Sequence, residues 1–335
     1  MIALTVYLGY VVERANFPAF ISAYGLFFAL YVWLLTRPGW TAADRRFFIG
    51  LGIVLRVLLL FSIPNLSDDF YRFLWDGRLA AQGIHPFAHP PVFFMENEIR
   101  HAGITPELFS KLNSPEYYTV YPPVCQGVFW LAAVLFPKSV AGGVFVFKVF
   151  LVVCELGIIG LLGGFRLSAP PLRHSASLGY ACRHSRQPHS QPLPKRKGSR
   201  DVHRRLHHLP VQIFKKSGQL YGSPPSWGGV GGGVDAATLY ALNPLILLEI
   251  TGNAHFEGAM LCFLLAGILM LQRGRLVSAA GFWALATDTK LVRLLFIALV
   301  WGAMAYSLGA TGLLAGAAVF VVVWRVFGFV VCAFD

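Results

Sequence analysis

Residues 47–78 read FFIGLGIVLRVLLLFSIPNLSDDFYRFLWDGR, and this stretch decides the fold. Phe47 to Ile63 is an apolar run carrying a single charge, Arg56. Pro64 and Asn65 end it. Three carboxylates and two arginines then crowd into the eleven residues from Asp68 to Arg78. The run fits a helix buried in hydrocarbon, and the polar stretch fits chain returned to the bilayer surface.

The rest of the chain has the same character. Of 335 residues, 56% are apolar and 13% charged, against about 25% charged in soluble domains. That balance cannot cover a core in water, and it predicts an all-α integral membrane protein. Apolar runs place spans near 2–13, 17–36, 47–63, 142–165, 236–250, 254–272, 276–290, 291–306 and 309–330, about eight or nine transmembrane helices. Met1 to Val12 has no basic leader or small-residue cleavage site and reads as a short or truncated first span.

Arginines set the orientation. Those between Arg37 and Arg46, Arg273 with Arg275, and a basic block from Arg166 mark cytoplasmic loops. Residues 64–141 then form a large first extracytoplasmic loop, and the turn from Thr251 to Glu257 falls on the same side. Gln126 to Phe136 is too short to cross and is expected to lie at the interface or re-enter.

Three regions follow: an N-terminal membrane region 1–165, a basic segment 166–235, and a C-terminal membrane region 236–335. The middle segment holds twelve Lys/Arg against Asp201 and Asp235, nearly all of the net charge of +12. Six of the ten histidines lie there without regular spacing. Its composition changes abruptly at both ends. It reads as a low-order cytoplasmic linker or as the product of a locally shifted reading frame. A nucleic-acid role would rest on this segment alone, and no nucleic acid is expected as partner. Cysteines 125, 154, 182, 262 and 332 show neither disulfide nor zinc spacing.

Four polar segments carry the chemistry. In Asp68 to Arg78, Asp69, Arg72 and Asp76 recur on one helical face, where they either pair internally or serve a site. One aspartate suits a general base. Arg72 and Arg78 suit a phosphate through their forked donors. Phe70, Tyr71, Phe73 and Trp75 suit either the interface or a sugar face. Tyr117 to Pro123 reads as a rigid turn. From Asn243 through Glu249 to Asn253, His255 and Glu257, polar groups interrupt an apolar hairpin, which marks a cavity or a satisfied structural network. Lys290, beside Asp288 and Thr289, sits at the outer end of its span, either meeting an anion or snorkelling.

Asp68 to Arg78 with Gly83-Ile84-His85-Pro86-Phe87, Tyr121-Pro122-Pro123, Ala241 to Leu245, Gly252 to Glu257 and Thr289-Lys290-Leu291 resemble bacterial membrane mannosyltransferase-like proteins of the GT-C superfamily. The resemblance implies a multi-helix fold in the bacterial cytoplasmic membrane. It implies a polyprenyl-phosphate sugar donor, a lipid-linked or cell-envelope glycan acceptor, and inverting transfer. Asp68 or Asp69 would be the base. Arg72, Arg78 and Lys290 would face the donor phosphate, and Asn253, His255 and Glu257 would line the cavity. Tyr71, Trp75, Asp76, Asn243 and Glu249 complete the expected substrate-binding set. Some members use a divalent metal, and the residues here leave that open. The chain departs from the family pattern at Arg293, where relatives carry proline, in its basic segment, and in ending soon after its last span. A missing C-terminal portion is therefore expected. Two other readings are a transporter or flippase of lipid-linked sugars and an inactive frame-shifted relative.

Overall fold

The structure is a computed structural model that describes residues 1–98, 101–164 and 234–290. All of them belong to one compact unit. The basic block, its histidines, Cys182, Cys332, Arg293 and the last two expected spans lie outside the described residues.

Every regular element among the described residues is helical. Helix α1 (Ile2–Val6) runs into a π turn over Tyr7–Val11, and α2 covers Phe17–Leu35. Asn16 starts α2 by accepting the Ala19 N–H at 3.3 Å. Helix α3 (Ala42–Leu59) opens on a capping box in which Thr41 and Asp44 each bond the other's backbone N–H. That box sets the start five residues before the expected apolar run, because a good cap draws polar residues into the first turn. Then come α4 (Asp69–Ala80), α5 (Pro91–Glu96), α6 (Pro106–Phe109), α7 (Pro123–Leu135) and α8 (Val140–Gly164). The expected span 236–250 is broken. Helix α9 (Ala236–Leu242) stops at Asn243, whose side chain accepts the Leu245 and Ile246 N–H groups to begin α10 (Pro244–Ile246). Proline cannot donate to the preceding turn, so the chain restarts there. A π segment, Leu247–Gly252, leads to a sharp turn into α11 (Glu257–Gln272), and α12 covers Leu276–Thr287.

Two helices, Phe17–Leu35 and Val140–Gly163, are long and apolar enough to cross a membrane. The bent pair Pro244–Gly252 and Glu257–Gln272 makes a third if counted as one span. The outer surface agrees with a lipid solvent. Trp33, Phe47 and Phe61 are 62%, 66% and 70% exposed, while Arg56, Lys148 and Glu155 are fully buried. Water favours the opposite arrangement.

Of these three charges, Arg56 and Glu155 pair with each other, and Lys148 is held by neutral oxygens. Arg56 bonds Glu155 at 2.8 Å and the Ala241 carbonyl at 2.7 Å, which fastens α3, α8 and the end of α9. The Thr251 hydroxyl donates to the other Glu155 oxygen. Lys148 donates to the carbonyls of Leu59 and Ser62 at 3.0 and 2.7 Å, which closes the C-terminus of α3 from outside the helix.

Helix α7 packs between α4 and α8. Its contact with α4 is close, since Gly77 leaves no room for a Cβ against the Phe129 carbonyl. Phe73 of α4 stacks on Phe129 at 4.6 Å and meets Tyr121, Phe147 and Phe256 edge-on. Phe256 belongs to the turn before α11, so this aromatic core draws that turn against α4. At the start of α7, the Val124 N–H donates to the Asp288 carbonyl at 3.2 Å, and Cys125 Sγ donates to the Thr289 carbonyl at 3.3 Å.

Candidate functional site

The aromatic core sets two polar segments face to face. On one side, Ser67, Asp68 and Asp69 lead into α4, with Asp69 in its first turn, where a carboxylate complements the helix dipole. On the other side is the turn from Asn253 to Phe256, where the bent pair changes direction by 110°. Ala254 takes φ +59°, a left-handed conformation uncommon outside glycine. The Asn253 N–H ends the π segment on the Leu248 carbonyl at 2.7 Å, and with the chain folded back at Ala254 the His255 N–H reaches the Glu249 carbonyl at 3.2 Å.

His255 is the hub. Its Nδ1 lies 3.0 Å from Glu249 Oε2. Its Nε2 lies 3.3 Å from the Ser67 hydroxyl and 4.0 Å from Asp69 Oδ2. The hydrogen bond to Glu249 holds the imidazole above its ordinary range, with the neighbouring Glu257 and Asp69 charges acting the same way. Asn253 also bonds Glu249. Asp69 Oδ1 accepts the Asn113 amide at 2.7 Å, and the side chain stays 38% exposed. Glu257 bonds Lys290. Asp68 turns away to Arg14 at 3.3 Å, with both side chains largely exposed. Asp69, Glu249, Asn253, His255, Glu257 and Lys290 therefore meet at one place.

Other expected site residues lie elsewhere. Arg72 Nε donates to Asp76 Oδ1 at 2.9 Å in a buried pair, and Arg72 Nη1 donates to the Ser114 and Tyr117 carbonyls at 3.2 and 3.0 Å. Asp76 also accepts from the Thr119 hydroxyl and, at 3.1 Å, from the Gln126 amide. This network fastens the 113–119 loop to α4. Trp75 is fully buried against Phe94 and Phe109. Asn243 is engaged as the α10 cap. Tyr71 packs on Phe70 and holds Lys111 over its ring. Arg78 lies about two and a half turns along α4 from Asp69 and donates to the Gly103 carbonyl.

Sequence reasoning gave no role to Ser67, Asn113, Arg14, Thr119 or Gln126. Ser67 adjoins the Asp68–Asp69 pair, Arg14 follows the expected first span, and Gln126 is a lone amide at the start of an apolar stretch, so all three carried a signal. Thr119 lies in the Tyr117–Pro123 segment that its prolines marked as a turn, and Asn113 carried no signal. Among the described residues, no three His, Cys, Asp or Glu side chains converge to hold a metal ion. No family model, curated protein or solved structure matches the chain.

Proposed function

We propose that the chain is a multi-pass glycosyltransferase of the bacterial cytoplasmic membrane with eight or nine spans. It moves a hexose, mannose by resemblance, from a polyprenyl-phosphate donor to a lipid-linked or envelope glycan acceptor. The observation that carries this is the approach of Asp69 and His255 to 4.0 Å, from segments far apart in sequence, Asp69 in the first turn of α4 and His255 just before the apolar α11. Asp69 is the better base of the adjoining pair. It is held by Asn113 and faces His255, whereas Asp68 is committed to Arg14.

Asp69 takes the proton of an acceptor hydroxyl. The freed oxygen bonds the anomeric carbon from the side opposite the phosphate. The carbon–oxygen bond to phosphate breaks, its electron pair leaves with the phosphate, and configuration inverts. The Lys290 ammonium supplies positive charge for that departing anion. The loop faces the extracytoplasmic side.

The test is transfer of labelled sugar from polyprenyl-phosphate mannose in membranes containing the full chain. Asp69→Asn should lower the rate by about a hundredfold or more, and Asp68→Asn by less than about tenfold. Full activity in Asp69→Asn would remove the base.

A transporter of lipid-linked sugars is the second reading. The 110° break with polar groups at its apex favours it, because transporters build midplane sites from discontinuous helices. Movement of a labelled lipid-linked sugar across vesicles, without transfer to an acceptor, would decide for it.

A further inference from the structure

A second cleft lies along α4, away from Asp69. Tyr71, Arg78, Gly103, Thr105, Lys111 and Lys138 are among the residues that enclose about 360 Å³ there. Arg78 is only 5% exposed, so its charge is desolvated. Its Nη1 donates to the Gly103 carbonyl at 2.7 Å. Its Nε and Nη2 are buried and have no hydrogen-bond partner among the described residues. Arginine keeps its proton in proteins, so these donors cannot be silenced by titration. Buried donors on a charged group call for acceptors.

The surroundings fit an anion. Gly103 sits at φ +80°, and a Cβ there would come within 3.0 Å of Arg78 Cδ, so the glycine lets the backbone close over the guanidinium. Lys111 and Lys138 are exposed at the mouth. Lys138 stands just before α8, at the level where lipid phosphates lie if α8 spans the membrane. The one acid in the lining, Glu107, is exposed and bonds Thr105 and its own backbone. Three cations therefore face one engaged carboxylate. Arg78 is roughly 13 Å along the helix axis from Asp69, at 1.5 Å per residue, so this is a separate place.

We propose that the cleft binds a phosphate group, with the Arg78 fork as its floor and Lys111 and Lys138 at its rim. A forked guanidinium matches two phosphate oxygens, and the two ammonium groups offset a multiply charged anion. The phosphate belongs either to an anionic lipid headgroup or to a soluble phosphate. The proposal does not depend on the transferase reading.

The full chain is reconstituted in phosphatidylcholine nanodiscs and its binding of labelled inorganic phosphate is measured by equilibrium dialysis. In parallel, discs of equal parts phosphatidylcholine and phosphatidylglycerol are examined by native mass spectrometry for retained phosphatidylglycerol. Wild type should hold at least one of the two probes. The Lys111→Ala/Lys138→Ala double variant, changed only at exposed side chains, should bind that probe about tenfold more weakly with an unaltered melting temperature. Arg78→Lys, which keeps the charge and loses the fork, should also bind more weakly. Phosphate binding in neutral discs identifies a soluble ligand, and retention of phosphatidylglycerol alone identifies a headgroup. If wild type holds neither probe, or the lysine double variant binds as wild type does, the proposal fails.

Discussion

Asp76→Ala tests how the 113–119 loop is held. In the wild type, the Asp76 carboxylate accepts from Arg72 Nε at 2.9 Å, from the Thr119 hydroxyl and from Gln126 at 3.1 Å, all within a buried network. Alanine removes all three acceptances and leaves the Arg72 guanidinium buried without its counter-charge. Breaking one side of a buried pair costs about 3–5 kcal/mol. At roughly 2–4 °C per kcal/mol for a unit of this size, the melting midpoint should fall by about 6–20 °C. Buried Cys125 and Cys154 make a thiol-reactive fluorescent dye a suitable reporter of unfolding. Arg72→Met/Asp76→Leu, which removes both charges, should recover most of the midpoint. It should not recover the sugar transfer proposed above, because Arg72 no longer grips the Ser114 and Tyr117 carbonyls and Asn113 loses its place against Asp69. A midpoint within about 2 °C of wild type for Asp76→Ala, or a double variant no more stable than the single one, would refute the pairing argument.

Other outcomes follow from single contacts. Gly77→Ala forces a Cβ against the Phe129 carbonyl and should cost about 1–3 kcal/mol, read in the same dye assay. Lys148→Met strips the donor from the Leu59 and Ser62 carbonyls and should cost at least about 1–3 kcal/mol. Limited proteolysis should then cut faster between residues 60 and 66. His255 has a folded pKa above its unfolded value of about 6.5. Its stabilisation is therefore complete below about pH 6.5 and is lost as pH rises through the higher folded value. The midpoint gap between wild type and His255→Gln should be widest at acid pH and close toward alkaline pH. A gap independent of pH would mean that the imidazole stays neutral.

Much of this arrangement could be read from local pattern. The α2 and α8 runs appear within two residues of their expected limits, because continuous apolar sequence has one solution in lipid. The Arg72–Asp76 pair follows from helical spacing. The turn between Thr251 and Glu257 was expected, but the positive φ at Ala254 within it did not follow from the sequence, since alanine is a helix former and takes that conformation through its surroundings. Nor did the division between Asp68 and Asp69. Neighbouring carboxylates are equivalent until the fold brings Arg14 to one and Asn113 to the other, and both partners are distant in sequence. Trp75 and Arg78 share a motif with Asp69, yet helical rotation and rise carry them into other environments.

The two bonds from the start of α7 to the residues just after α12 act as a mechanical splice. Proline at 122 and 123 leaves the Val124 amide as the first free donor of that helix, and it is spent on a carbonyl across the joint. Separating the two helix ends therefore exposes this donor and the Asp288 and Thr289 carbonyls in the same event. In hydrogen exchange, the Val124 amide becomes a gauge of that opening, with a rate set by parting of the splice rather than by fraying of α7 alone.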